Sequence, residues 1–136
     1  MVEQACGILR ERIRTGELAP GTRLRQEVLA AALRGMAAAI AAQRRDPADD
    51  GFAANRSFHL ALVASAGNPH LDRFAESLWV QSVGTAIYAA QAIDPSVVAG
   101  YADDHQAILD AIEQGDGEVA ERRTREHILA SPVPAG

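Results

Sequence analysis

FAANRSFHLALVASAGNP, residues 52–69, is the stretch that decides the fold of this chain. Its apolar residues recur at the spacing of an amphipathic helix, and the Ala-Gly-Asn-Pro turn ends that helix and begins the next. Asn55 and His59 are four residues apart and therefore share one helix face with Phe52 and Leu62. We expect His59 to point into the interior of a helical bundle.

Two more histidines lie in segments that have helical spacing. His105 shares a stripe with Tyr101 and Ile108, and His127 lies in the last predicted helix. A buried imidazole needs partners for both ring nitrogens, and a shared cation would explain three of them close together. Imidazole suits Zn, Ni, Cu and Fe, and an oxygen ligand completes a set that still leaves a position open. The sequence therefore predicts a divalent metal site, with Zn or Ni favoured, formed by Asn55, His59, His105 and His127.

The prediction of a metal site depends on the three histidines together, because a single helical histidine is more often a packed or solvent-facing side chain than a ligand. His70 follows the Gly-Asn-Pro turn at a helix start, and we expect it to be structural or exposed. Since coordinating imidazoles must be neutral, metal affinity is expected to fall as the pH drops through about 6.5.

Composition favours closely packed helices over sheets. The chain has 136 residues, enough for one domain with a sizeable core, and is 48% hydrophobic but only 4% aromatic, with many alanines. Cys6 is the only cysteine, so an intrachain disulfide is impossible. The sequence has no run of membrane-spanning length and no signal-peptide pattern, so we expect a cytoplasmic protein without a membrane partner.

Charge is unevenly distributed along the chain. Residues 1–35 hold six arginines and four glutamates, a balance of +2, and residues 36–136 hold seven arginines and fourteen acidic residues, a balance of −7. The two balances sum to the net charge of −5. Only the basic end suits contact with nucleic acid.

Two parts of the sequence resemble a known family of regulators. ILRERIRTGELAPGTRLRQEVLAAAL, residues 8–33, resembles the start of a GntR-type winged helix-turn-helix, with its Gly-x-Leu-x-Pro-Gly turn. The strings NRSFHLALVASAGNPHL, DDHQAILDAIEQGD and REHILAS resemble the FCD effector domain of the FadR subfamily. This resemblance implies an all-α helical bundle of the FCD type, preceded by a partial winged helix-turn-helix.

The same resemblance implies a ligand set, which is Asp or Asn, a histidine four residues on, and one histidine from each of two later helices. These positions are Asn55, His59, His105 and His127, where Asn55 replaces the aspartate found in most members. A neutral amide compensates less charge than a carboxylate does, which affects metal identity and affinity.

The resemblance also implies domain boundaries. Residues 1–34 are assigned to a partial winged helix-turn-helix whose recognition helix and wing are absent, and residues 35–136 to an effector- and metal-binding helical domain. Either the chain is truncated internally after Leu33, or the sequence omits a segment there. Arg23 and Arg25 are the candidate DNA-contacting residues of the basic segment.

The predicted function is a dimeric, metabolite-responsive transcriptional regulator that binds DNA and a small carboxylate effector. The carboxylate would fill an open position on the metal while the rest of the effector selects the pocket walls. A second hypothesis is a small helical metalloenzyme, which is disfavoured because HExxH and a dedicated base are absent. Asp103 and Asp104 precede His105 directly and are expected to point away from its face. A third hypothesis is a helical interaction module without metal.

Overall fold

A computed structural model of the chain describes residues 22–47, 51–81 and 95–131. These residues form five α-helices and no strand, so the predicted all-α fold class is confirmed. The helices are α1 (Thr22–Arg45), α2 (Gly51–Ala64), α3 (Pro69–Gln81), α4 (Pro95–Glu113) and α5 (Gly117–Ala130).

The turns between these helices lie at glycine, proline and aspartate residues that end or begin helices. Gly67 has a φ of 61°, a left-handed conformation that glycine adopts without strain, and α3 begins two residues later at Pro69. Gly115 has a φ of 73° after the end of α4. Asp116 then caps α5, because its side chain accepts a hydrogen bond from the Val119 N–H. The predicted turn at residues 67–69 and the cap at Asp116 are both present.

Helix α1 differs from the sequence-based prediction. The sequence pattern predicts two helices here, at about residues 26–33 and 35–44, but Thr22–Arg45 is one continuous helix. Ala32 and Leu33 pack with Met36 in the same core, so residues on both sides of position 34 contribute to the helical bundle. The prediction of two separate helices was wrong, because Gly35 was interpreted as a helix end. Gly35 instead lies within the helix and allows a neighbouring helix to pack closely against it.

Gly35 lies where α1 and α2 approach each other closely. A Cβ atom at Gly35 would lie 3.2 Å from the Ala61 Cβ, which is tighter than an ordinary side-chain contact. Helix α1 packs against both α2 and α4, and α4 packs against α5. The largest buried side chains of this core are Phe58, Met36, Ile40, Ile108, His105 and Gln43. Six polar or titratable side chains share the interior with the apolar ones, namely Gln43, Asn55, Ser65, His105, Thr124 and His127.

Some predictions fall outside the described residues. They include the helix over residues 2–16, Cys6, the continuation of α3 beyond Gln81, the Asp94 cap and the tail after Ser131. Within the described ranges, none of the helices is both long and apolar enough to cross a membrane.

Candidate metal centre

Three helices bring the three predicted histidines to one point. His59 comes from the middle of α2, His105 from the middle of α4, and His127 from the last turn of α5. The Nε2 atoms of His105 and His127 are 3.1 Å apart, and those of His127 and His59 are 3.3 Å apart. One ligand atom from each residue lies within 4.8 Å of the others. The convergence predicted from sequence is present.

Hydrogen bonds on the outer side of two rings determine where their protons are. The Nδ1 atom of His105 lies 2.9 Å from Gln43 Oε1, and that of His127 lies 3.1 Å from Asp104 Oδ2. An amide oxygen and a carboxylate only accept hydrogen bonds, so both Nδ1–H groups donate. In the neutral rings, the Nε2 atoms of His105 and His127 therefore carry lone pairs.

This arrangement fits a divalent cation. Two lone pairs that face each other at 3.1 Å cannot form a hydrogen bond, whereas a metal ion accepts both of them. Nitrogen ligands at ~2.0–2.1 Å from one zinc ion are separated from each other by about 2.9–3.4 Å in octahedral or tetrahedral geometry. The two observed Nε2–Nε2 separations, 3.1 and 3.3 Å, match that requirement.

Aromatic rings hold the imidazoles in place. Phe58 stacks on His105 with ring centroids 3.8 Å apart and an interplanar angle of 9°. The rings of Tyr101 and His127 are nearly perpendicular, at an interplanar angle of 86°, with centroids 5.2 Å apart. These contacts limit ring rotation, so the donor atoms are oriented before any ligand arrives.

One side of the cluster is less enclosed than the other. His105 is 0% exposed and His127 is 4% exposed, whereas His59 is only partly buried. Trp79 on α3, also partly buried, lies with its ring 5.8 Å from that of His59, and Phe52 contacts the same indole. Of the three rings, that of His59 is therefore the most exposed, and it lies beside Trp79.

Burial keeps all three imidazoles neutral. Burial, and secondarily the neighbouring His127, lowers the pKa of His59 from 6.5 to about 3. Burial, followed by the two other histidines, lowers the pKa of His105 well below its ordinary value. Burial also lowers the pKa of His127, although its hydrogen bond to Asp104 acts in the opposite direction. Protons should therefore compete with metal at a more acidic pH than the 6.5 expected from sequence.

Asn55, the predicted oxygen ligand, lies one turn before His59 on the same face of α2. Its side chain is buried, at 2% exposure, and its Oδ1 atom has no hydrogen-bond partner. A buried amide oxygen without a partner is costly, and coordination of a cation would satisfy it. Asn55 therefore fits the role of fourth ligand by its position and its chemistry.

Two residues of the site were not singled out from sequence. Gln43 reaches His105 from α1, and Asp104 reaches His127 from α4. We expected Asp104 to point away from the face of His105, and the structure places its carboxylate against His127, another histidine of the same cluster. The signal that the sequence offered for Gln43 was its helical spacing from the apolar residues Met36 and Ile40 in an alanine-rich helix.

The remaining predicted residues lie elsewhere. His70 is exposed at the start of α3, with its Nδ1 atom 3.2 Å from Arg73 Nη2, in agreement with the prediction. Arg23 and Arg25 lie in the first turn of α1, and their side chains fall outside the described part of the structure. Their proposed contact with DNA stays a prediction.

The fold and the site together define a helical domain with a buried three-histidine cluster that suits a metal ion. Residues 15–130 match the family model of the FCD domain, so the chain belongs to the FCD domain family. The FCD domain is the effector-binding domain of GntR-family regulators. The match includes residues 15–34, which we had assigned to a partial winged helix. No curated protein and no solved structure matches the chain.

Asn55→Asp is expected to tighten the binding of Zn²⁺. The substitution keeps the size of the side chain and replaces a neutral oxygen ligand with an anionic one, so we expect the dissociation constant to fall by about tenfold. Isothermal titration calorimetry with Zn²⁺ at pH 7.5 measures it. Ser57→Asp is the matched control, since it adds the same charge at an exposed position of α2. Equal effects of the two substitutions, or a weaker site in Asn55→Asp, would mean that Asn55 is not a ligand.

Proposed function

We propose that this chain is the ligand-sensing part of a transcriptional regulator, which binds a divalent metal and, through it, a small organic acid. The observation that carries the proposal is the convergence of three Nε2 atoms inside an FCD domain. A metal held there would act as a Lewis acid and bind a carboxylate of the effector.

Three helices supply the histidines of the cluster, and a fourth lies beside them. Helices α2, α4 and α5 supply the histidines, and α3 supplies Trp79 beside the partly exposed His59. The effector would therefore bind on this side, with its carboxylate toward the metal and the rest of the molecule against the indole. Because α3 contributes to the wall and not to the ligand set, a ligand would affect its position most directly.

DNA binding and dimerisation complete the proposed regulator. Effector binding would change the relative placement of two DNA-binding domains, which requires a homodimer and a winged helix-turn-helix in the functional regulator. Phe74 and Leu78 lie one turn apart on α3 and are among the exposed large hydrophobic residues, so this face suits a second copy of the chain. The partners are therefore DNA, a small carboxylate and a second protomer.

The binding of simple carboxylates tests the proposal. Acetate, malonate and succinate are titrated into the metal-free protein and into the protein saturated with Zn²⁺. We expect at least one of them to bind about tenfold or more tightly to the zinc form, because the metal adds a coordinate bond to the available contacts. Calorimetry measures both affinities, and a blank titration into zinc alone corrects for chelation in solution.

Two variants make the result specific. Trp79→Leu should weaken the carboxylate but leave the zinc affinity within about threefold, because Trp79 lies beside the site and does not ligate. His70→Ala is the matched control on α3 and should change neither affinity. Equal carboxylate binding with and without zinc would contradict a metal-dependent effector site. Turnover of an added ester or amide would instead favour the metalloenzyme hypothesis.

A further inference from the structure

We propose that Asp104 is the counter-charge of the metal centre and acts through the ring of His127. This inference rests on the proposed metal binding and assigns a role to a residue outside the ligand set. Asp104 Oδ2 lies 3.1 Å from His127 Nδ1, on the side of the ring opposite to the converging Nε2 atom. Asp104 is thus a positioning residue that does not touch the metal.

The need for a counter-charge follows from the ligands themselves. Three neutral imidazoles and the amide of Asn55 contain no anion, so a bound dication would bring two positive charges into a largely buried site. Burying an uncompensated charge is expensive. Among the described residues, Asp104 is the carboxylate that the structure places in hydrogen-bond contact with one of these histidines.

The contact has two effects on His127. It holds the proton on Nδ1, which leaves the Nε2 lone pair directed at the other two histidines. It also makes the ring a better electron donor, because the negative carboxylate stabilises positive charge that develops on the imidazole when a cation binds. Gln43 provides only the first effect for His105, since its amide is neutral.

Asp103 offers a matched control in the same turn of α4. Its side chain is 82% exposed and pairs with Arg44 at 3.2 Å, whereas the Asp104 side chain is 54% exposed and contacts His127. Asp103→Asn and Asp104→Asn remove the same formal charge from adjacent positions. Only the second variant removes it from a hydrogen bond to the cluster.

The experiment compares metal affinity in the wild type and four variants. The variants are Asp104→Asn, Asp103→Asn, Asn55→Asp, and the double variant with Asp104→Asn and Asn55→Asp. Ni²⁺ titration is followed by the fluorescence of Trp79, the only tryptophan, whose ring lies 5.8 Å from His59. We expect Asp104→Asn to weaken Ni²⁺ binding about 10- to 100-fold and Asp103→Asn to change it by less than about threefold. Because Asn55→Asp restores an anion to the site and should tighten binding about tenfold, the double variant should recover to within about tenfold of the wild type.

A second measurement, independent of metal, reports the tautomer. Long-range ¹H–¹⁵N correlation spectra of the metal-free protein at pH 7.5 should show His127 protonated on Nδ1, and Asp104→Asn should shift the ring toward a mixture of tautomers. Equal losses in Asp103→Asn and Asp104→Asn, no recovery in the double variant, or an Nε2-protonated His127 in the wild type would each overturn the inference. Failure of the proposed function has a different signature, in which a wild type that binds Ni²⁺ shows no metal-dependent carboxylate binding.

Discussion

His105→Ala is expected to abolish the stabilisation of this protein by divalent metal. His105 is fully buried, and its Nε2 atom lies 3.1 Å from that of His127. At a free Zn²⁺ concentration of ~100 times the dissociation constant, the wild type should gain about 2.7 kcal/mol in free energy of unfolding. Loss of this histidine ligand should weaken binding by at least ~100-fold, so the variant should gain less than about 0.5 kcal/mol at the same concentration.

Chemical denaturation with and without zinc, after treatment with a chelator, measures this difference. Ile108→Ala is the matched control, because it also removes a fully buried side chain from α4 but no ligand. The control should lose about 2–5 kcal/mol of stability in the metal-free form and keep the full increment from zinc. A wild type whose unfolding is indifferent to both zinc and chelator would contradict the metal site, as would a His105→Ala protein that keeps the increment.

The metal-free protein should lose stability as the pH falls from 7.5 to 5.5, which is above the pH range in which carboxylates titrate. The pKa values of His59, His105 and His127 are lowered in the folded state, so these rings stay neutral there while the unfolded chain takes up protons below about 6.5. The unfolded state then binds more protons, and stability that is fully present above pH 6.5 is lost as the pH falls. His59 and His105 together should cost about 3 kcal/mol between pH 7.5 and 5.5, and His127 should add to this.

Urea denaturation at pH 7.5, 6.5 and 5.5 in the presence of a chelator tests the expected slope. His105→Phe should reduce the loss by about a third, since it removes one neutral buried imidazole and keeps an aromatic ring against Phe58. His70→Gln is the control, because it removes an exposed histidine outside the cluster. A free energy of unfolding that is constant from pH 7.5 to 5.5 would show that the imidazoles are accessible to protons in the folded state.

Much of the fold was predictable because it depends on local patterns. The apolar spacing of residues 52–64 predicted α2, and the Gly67 turn and the Asp116 cap marked helix ends by their own backbone chemistry. Helix α1 was divided wrongly, because a glycine within a helical pattern can mark an end or a close contact. Gly35 marks a close contact, because a Cβ atom there would lie 3.2 Å from the Ala61 Cβ, and this contact is visible only in the tertiary structure.

The sequence by itself determined which residues share a face, since a helix places positions four apart side by side whatever surrounds it. It therefore placed Asn55 and His59 on one face of a helix, and it predicted that His105 is buried among apolar neighbours. The tertiary structure alone decided which groups meet those rings from other helices. Gln43 and Asp104 lie 62 and 23 residues away in sequence from the histidines they contact. Their contacts depend on how α1, α4 and α5 pack, and helical periodicity carries no information about the relative rotation of two packed helices.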